Sequence, residues 1–488
     1  MRSLIAVVNV LGALLMMFSA LFVLPLATAL WYRDGEALGA FAIGGACTLG
    51  LGLAFLLGSR LSGRRAELRP RDGYLLVTVG WLLVTALAAL PMMIQGPHLS
   101  FTDAYFEAMS GLSTTGSTVI THLDDLSHAL NLWRAALHWI GGMGIIVLAV
   151  AILPLLGVGG MQMYRAEAPG PVKDAKLTPR ITQTAKALWM VYLGITVLCI
   201  GALVLAGMGL FDAICHGFST MALGGFSTHD ASLGYFDSPA IETVTILFMT
   251  IAAMNFSTHF VALRRGQLGI YARDPEARWV VTWLGISVAA ISLFLWSNDV
   301  YPTFAEDFRH AAFAVVSVGT TTGFVTDDYG RWPLFAPMWM LFLSCVVCST
   351  GSTGGGIKNF RALILVKQAL RETFALVHPQ AVTILKIGGH LVANRVVFAV
   401  LGFIFAYFMT VVVLCFALLL THLDFVTAFS AVIGSINNAG PGLNLVGPST
   451  TYAALSDTQT WICTLAMFLG RIELFTFFVL FTPTFWRK

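Results

Sequence analysis

Two kinds of glycine-rich stretch in this 488-residue chain have residue types that could do chemistry. One is CSTGSTGGGIKNFR, residues 348–361. Its core, Gly351-Ser352-Thr353-Gly354-Gly355-Gly356-Ile357-Lys358, has the outline of a phosphate loop. That loop needs Gly-Lys-Ser/Thr in succession, so that amine and hydroxyl reach phosphate and magnesium. Ile357 splits glycine from lysine here, and Asn359 stands where the hydroxyl belongs. A strand should precede it, yet the apolar run PMWMLFLSCVV does. Phosphate chemistry is therefore a poor fit, and a polar loop inside a hydrophobic segment needs another use.

The other kind occurs four times: LSTTGST, MALGGFST, GTTTGFVT and NNAGPGLN. Each follows a short apolar segment opened by an acid: FTDAYFEAMSG, LFDAICHGFST, AEDFRHAAFAV and HLDFVTAFSAV. Aligned on Gly116, Gly225, Gly323 and Gly440, the acids Asp103 and Asp212 lie thirteen residues upstream, and Asp307 and Asp424 sixteen. Such loops can present backbone carbonyls in place of an ion's hydration shell. Glycine suits them because the chain must visit conformations closed to residues with a Cβ. The candidate cage comprises Thr114, Thr115 and Gly116; Leu223, Gly224 and Gly225; Thr321, Thr322 and Gly323; and Asn438, Ala439 and Gly440. Divalent ions would want carboxylates in the cage, and no loop has one beside its glycine. Neutral oxygens suit a dehydrated alkali cation. The alternative is that these are ordinary glycine-rich loops capping buried helices.

The elements that hold these loops follow from composition. The chain is 57% hydrophobic and 11% charged, where soluble domains carry about 25% charge. Apolar runs long enough to cross a hydrocarbon core recur, so an all-α polytopic membrane protein is expected. Runs at 5–31 and 38–59 come first. The N-terminal run is too long for a signal-peptide core and is kept as a helix. Four units follow, each a long helix, a short re-entrant segment, a glycine-centred loop and a second long helix. First helices are expected near 73–94, 182–208, 278–297 and 392–420. Second helices are expected near 131–156, 240–263, 334–370 (interrupted) and 458–482. The division is 1–72 for the N-terminal pair, then 73–160, 161–265, 266–375 and 376–488 for repeats 1 to 4. This gives about ten spans and four re-entrant loops around a pseudo-fourfold pore.

Alternate loops collect most of the 28 basic residues on one side, including Arg60, Arg64, Arg65, Arg165, Arg264, Arg265 and Lys367. That side is cytoplasmic by the positive-inside rule, with both termini on it. Most acids fall outside, where they would concentrate cations or merely accumulate where basic residues are excluded. The seven cysteines sit mainly in apolar runs; Cys345 and Cys348 form a CxxC, but inside a membrane segment, which favours packing over redox or metal chemistry. The eleven histidines are scattered, with no HExxH, GxSxG or acidic constellation of the kind a membrane enzyme on lipid-linked substrates would need. A scaffold or receptor has no use for four such loops.

With these residues in view, the chain resembles the superfamily of potassium transporters built from four helix–pore–helix repeats. Within it the resemblance is to the Trk-type potassium uptake membrane subunits, over essentially the whole chain. The matching motifs are Thr114-Thr115-Gly116, Gly224-Gly225-Phe226, Thr321-Thr322-Gly323-Phe324, Asn437-Asn438-Ala439-Gly440-Pro441-Gly442, Trp139-Ile140-Gly141-Gly142-Met143-Gly144 and Gly470-Arg471-Ile472-Glu473. The extra N-terminal pair also matches; related Ktr subunits lack it. In sodium-favouring members a serine replaces the first filter glycine, so four glycines imply potassium as the substrate. The resemblance implies uptake across a bacterial inner membrane, a homodimer in membrane lipid, and a cytosolic nucleotide-binding regulatory partner of the TrkA type. No cofactor on this chain, no nucleic acid and no enzymatic activity are expected. Channel-like flux and symport with protons or sodium both stay open.

The resemblance assigns residues 349–356 as an intramembrane loop that obstructs the inner pore. Gly351, Ser352, Thr353, Gly354, Gly355 and Gly356 form a poor helix, with glycine costing about 1 kcal/mol each relative to alanine. Lys358 would sit near the inner cavity; the alternative is a kink that only packs. Arg471, mid-helix in WICTLAMFLGRIELFTFFVLF, must face the interior and find partners. Loop carbonyls or nearby Glu473 are candidates, for a cationic barrier or for a helix-locking pair. Glu107 and His216 are expected to anchor helices.

Overall fold

A computed structural model describes residues 2–61, 70–147, 181–381 and 383–487. It is almost wholly helical; a hairpin of two-residue strands, Lys386–Ile387 with His390–Leu391, is the sheet among the described residues. The N-terminal run bends only through a 3-10 turn at Ala20–Phe22 and forms one span, Leu4–Trp31, followed by Gly35–Leu61. Their close contact rests on small residues. A Cβ on Gly12 would lie 2.8 Å from the Gly52 carbonyl oxygen, the small-residue packing that lets membrane helices approach.

The four first helices are Pro70–Ile94, Ile181–Leu205, Pro275–Ser297 and Asn394–Leu419. The re-entrant segments are short helices, Phe101–Leu112, Leu210–Ala222, Phe304–Gly319 and Phe425–Ile436. Caps fix where they start. Ser100 accepts from Asp103 N at 3.1 Å, Thr303 and Glu306 form a capping box, and Asp424 accepts from Thr427 N at 3.0 Å. The acids that open these segments thus sit at helix N-termini, where the dipole favours them.

Two of the second helices, those of repeats 2 and 4, depart from the expected single rods. His128–Val147 is helical to the end of the described residues, so its expected continuation to 156 lies outside them, as does the basic stretch from Arg165 to Arg180. The other three break. Pro239–Ala252 meets Phe256–Arg265 at 97°, and Asp457–Arg471 meets Leu474–Phe481 at 105°. The cause is local. Asn255 starts a new helix by accepting from Ser257 N at 2.8 Å, and Glu473 takes φ +59°, which no right-handed helix can continue. In repeat 3, Phe335–Val346 and Asn359–Val377 are separated by the glycine-rich loop, an interruption that was expected.

Buried apolar residues form one large core around the four re-entrant helices, with Phe106, Phe256, Phe313, Phe324 and Phe360 at 0–1% exposure. Exposed apolar side chains, such as Phe398, Phe405 and Phe416 on one helix, coat the outside, as a hydrocarbon solvent requires.

Candidate functional site

The four glycine-centred loops repeat one backbone conformation. Thr114, Leu223, Thr321 and Asn438 have φ between +53° and +62°, and Gly116, Gly225, Gly323 and Gly440 have φ between +83° and +86°. The glycines close a ring. A Cβ on Gly116 would lie 2.0 Å from the Gly224 carbonyl oxygen, one on Gly225 2.1 Å from that of Thr322, one on Gly323 2.5 Å from that of Ala439, and one on Gly440 2.8 Å from that of Thr115. Each loop thus abuts the next, and the fourth abuts the first. Any side chain at these positions would drive into a neighbour's carbonyl.

The re-entrant helices end at these loops, so their negative dipole ends converge on the ring. On one side the ring opens into a cavity of about 430 Å³ lined by Gly116, Gly225, Gly323, Pro441, His229 and Asp230. Here Asp124 pairs with His229. Partial burial raises the Asp124 carboxyl, but bonds from His229 and the Asp230 N–H outweigh it and hold it below its ordinary value. Loop 4 differs from the rest. The Gly440 carbonyl accepts from the Ser117 hydroxyl and the Tyr452 hydroxyl, each at 3.1 Å.

On the opposite side of the ring lies the glycine-rich loop of repeat 3. Thr353 Oγ1 donates to the Met221 carbonyl at 3.0 Å, at the end of re-entrant helix 2. Gly355 N donates to Thr321 Oγ1 at 2.9 Å, in loop 3. A Cβ on Gly355 would lie 1.8 Å from the Asn437 carbonyl oxygen, in loop 4. Arg471, 2% exposed, donates to the carbonyls of Thr353 at 3.1 Å and Gly141 at 3.0 Å, tying the loop to repeat 1. The loop therefore touches three repeats directly and the fourth through Arg471. Lys358 turns back and donates to the Gly354 carbonyl, while Ser349 N bonds to the Ala253 carbonyl at 2.9 Å and Gly351 O accepts from Phe256 N at 3.1 Å. The break in the second helix of repeat 2 thus receives the loop.

Arg471 and Glu473 do not pair. Glu473 accepts instead from Arg361, at 3.0 Å. Arg361 also lies over the Phe403 ring, 4.1 Å from its centroid. The glycines of the two motifs at 139–144 and 470–473 have a common cause: Gly141 and Gly470 pack on the ends of re-entrant helices, where a Cβ would lie 1.9 Å from the Leu112 oxygen and 2.0 Å from the Ile436 oxygen. Cys345 and Cys348 stay free. Cys348 donates to the Thr320 carbonyl at 3.2 Å, and Asn437 Nδ2 lies 3.1 Å from Cys345 Sγ.

Glu107 and His216, expected to anchor helices, each tie a re-entrant helix to the chain that follows its loop. Glu107 accepts from Val119 N at 3.0 Å and from Arg134 Nε at 2.9 Å. His216 bridges the Asp212 carbonyl at 2.8 Å and Ser227 Oγ at 2.9 Å. The sequence reading missed Arg134, which is 1% exposed and also donates to the Ser227 carbonyl at 3.1 Å. Its signal was present. It is a mid-helix charge in LNLWRAALHWIGG, the same anomaly that marks Arg471.

Known proteins share this architecture. A family model described as TrkH, cation transport protein, matches residues 41–488. The Trk system potassium uptake protein TrkH of Salmonella typhimurium is 46% identical over 488 residues, covering 99% of each chain. The TrkH of Halomonas elongata is 47% identical over 487 residues, covering 100% of each, and the TrkG of Escherichia coli K12 is 38% identical. The crystal structure of the potassium transporter TrkH from Vibrio parahaemolyticus superposes with a TM-score of 0.90 at 43% identity, covering 99% of this chain and 100% of that one. An integral membrane protein of four helix–pore loop–helix repeats, matched along its whole length by such relatives, this chain belongs to the TrkH family of cation transport proteins.

Proposed function

We propose that this chain conducts potassium into the bacterial cell across the inner membrane, through a filter made by residues 114–116, 223–225, 321–323 and 438–440. One observation carries the reading: the four-membered ring in which each glycine abuts the next loop's carbonyl. Neutral carbonyls held at fixed spacing replace the hydration of an alkali cation. The relatives are potassium uptake proteins, which agrees with it.

Residues 351–356, with Lys358 and Arg471, act as the gate. The ring and the loop lie in series, so an ion leaving the filter meets the loop backbone, the Lys358 ammonium and the Arg471 guanidinium. Opening requires the loop to leave Met221, Thr321 and Asn437. A cytosolic nucleotide-binding partner of the TrkA type would supply that motion, and the membrane subunit would work as a homodimer. The repeats divide at 73–160, 161–265, 266–375 and 376–488, with both termini cytoplasmic. Symport with protons or sodium is the second mechanism in play.

The test is flux into liposomes holding the purified protein, potassium against sodium, with and without an imposed proton or sodium gradient. Potassium-selective flux that follows the potassium gradient alone is expected. No cation flux from folded protein, or equal potassium and sodium flux, overturns the filter assignment.

A further inference from the structure

The second helix of repeat 1, His128–Val147, turns one face toward loop 2 of repeat 2. Arg134, His138 and Gly141 lie on that face at helical spacing. Arg134 Cζ sits 4.2 Å from the centroid of the Phe226 ring. One turn further, the His138 ring stacks on the same ring, centroids 4.1 Å apart and planes 16° apart. His138 Nδ1 lies 2.8 Å from Ser219 Oγ, which fixes the imidazole's orientation.

The same imidazole edge presses on the loop backbone. A Cβ on Gly224 would lie 2.3 Å from His138 Nδ1 and 2.5 Å from its Cγ. Loops 1, 3 and 4 carry Thr115, Thr322 and Ala439 at this place; loop 2 alone carries glycine. Backbone conformation does not require it, because Gly224 is not among the residues with positive φ. Space requires it. Loops 1 and 3 hold themselves from behind with their own hydroxyls: Thr115 Oγ1 lies 2.6 Å from Ser113 Oγ, and Thr322 Oγ1 2.8 Å from Thr320 Oγ1. Loop 2 has no such side chain, and the ring of His138 fills its place from the neighbouring repeat.

We propose that His138 is the positioning residue of the second filter loop, setting the Gly224 carbonyl that abuts Gly116 and so the cation discrimination of the ring. Nothing about ion coordination by His138 itself is involved; it acts through Gly224. The proposal rests on the filter reading above.

The experiment is a reciprocal size exchange, read as the potassium-to-sodium flux ratio per folded protein in liposomes. His138→Ala leaves a void behind Gly224, and Gly224→Ala forces a methyl into the imidazole. Each alone is expected to lower the ratio severalfold. The double variant His138→Ala/Gly224→Ala moves the backing from ring to loop and is expected to recover most of the loss. A folded His138→Ala protein with the wild-type ratio overturns the proposal, since a purely structural residue would change stability alone. Should that single variant fail to fold, the comparison of the double variant with Gly224→Ala decides: recovery supports the size exchange, and no recovery overturns it. Gly323→Ser runs beside them. If it too leaves the ratio unchanged, the filter reading fails; if it lowers the ratio while the exchange does nothing, only the His138 proposal fails.

Discussion

Arg471 and Thr353 are joined by a 3.1 Å hydrogen bond from the guanidinium to the loop carbonyl, across 118 residues of chain. The second arm of the same guanidinium holds the Gly141 carbonyl of repeat 1. One buried cation thus bridges the glycine-rich loop and the second helix of repeat 1. A charged donor to a carbonyl contributes about 1.5–3 kcal/mol, enough to shift an open–closed equilibrium by one to two powers of ten.

Replacing Arg471 by alanine removes both bonds and the positive charge, so basal flux is expected to rise by roughly tenfold or more. Arg471→Lys separates the causes, because lysine keeps the charge but not the planar fork. If charge is the barrier, lysine restores low leak; if the two-carbonyl bridge is, lysine leaks nearly as much as alanine. Rubidium uptake per folded protein reads the difference. A well-folded alanine variant with wild-type basal flux removes Arg471 from the gate.

A single methyl is expected to open the proposed gate as well. Gly355→Ala places a Cβ 1.8 Å from the Asn437 oxygen, so the loop must withdraw from loop 4. Basal flux without the cytosolic partner is expected to rise, as it should when part of 351–356 is deleted. Folded protein with abolished flux in both variants would make this segment structural.

Gly323→Ser is expected to lower potassium-over-sodium selectivity, because φ +84° and the Ala439 oxygen 2.5 Å from the new Cβ both resist it. The four glycines should differ in severity. Left-handed backbone costs a non-glycine residue about 1–2 kcal/mol at any of them, but the carbonyl is nearer at Gly116 and Gly225 than at Gly440. Alanine should therefore impair flux more at 116 and 225 than at 440. The reverse order in matched assays would contradict the ring geometry.

Arg134→Ala leaves the Glu107 carboxylate buried and unpaired, a change that costs about 3–5 kcal/mol. Thermal unfolding in detergent is expected to fall sharply. Arg134→Met combined with Glu107→Gln, which removes both charges, should lose much less. Equal losses from the single and double variants would show that packing, and not the ion pair, sets stability here.

Much of this was written in local sequence. Hydropathy marked the long helices, because a hydrocarbon solvent tolerates few charges. The four glycines stood in register because each must adopt positive φ and bring its backbone against a carbonyl, and only one residue type does both. Residues 349–356 were legible as an interruption because glycine, serine and threonine cannot sustain a buried helix there. Arg471 was legible as an anomaly for the same energetic reason.

Tertiary structure decided what each of these touches. The sequence left Arg471 with Glu473 or the loop carbonyls as partners; the turn at Glu473, φ +59°, swings that carboxylate to Arg361 and leaves the guanidinium to Thr353 and Gly141. The bends of 97° and 105° escaped a hydropathy reading because the apolar helices on either side of Asn255 and Glu473 average into one long apolar run. Gly224 is the clearest case. Its neighbours in sequence give no reason for a glycine, and the reason is His138, whose ring arrives from another repeat. Periodicity and composition report the solvent each residue must meet and the backbone it can adopt. Which side chain occupies the space left by another depends on helices brought together from distant parts of the chain, and only their packing decides it.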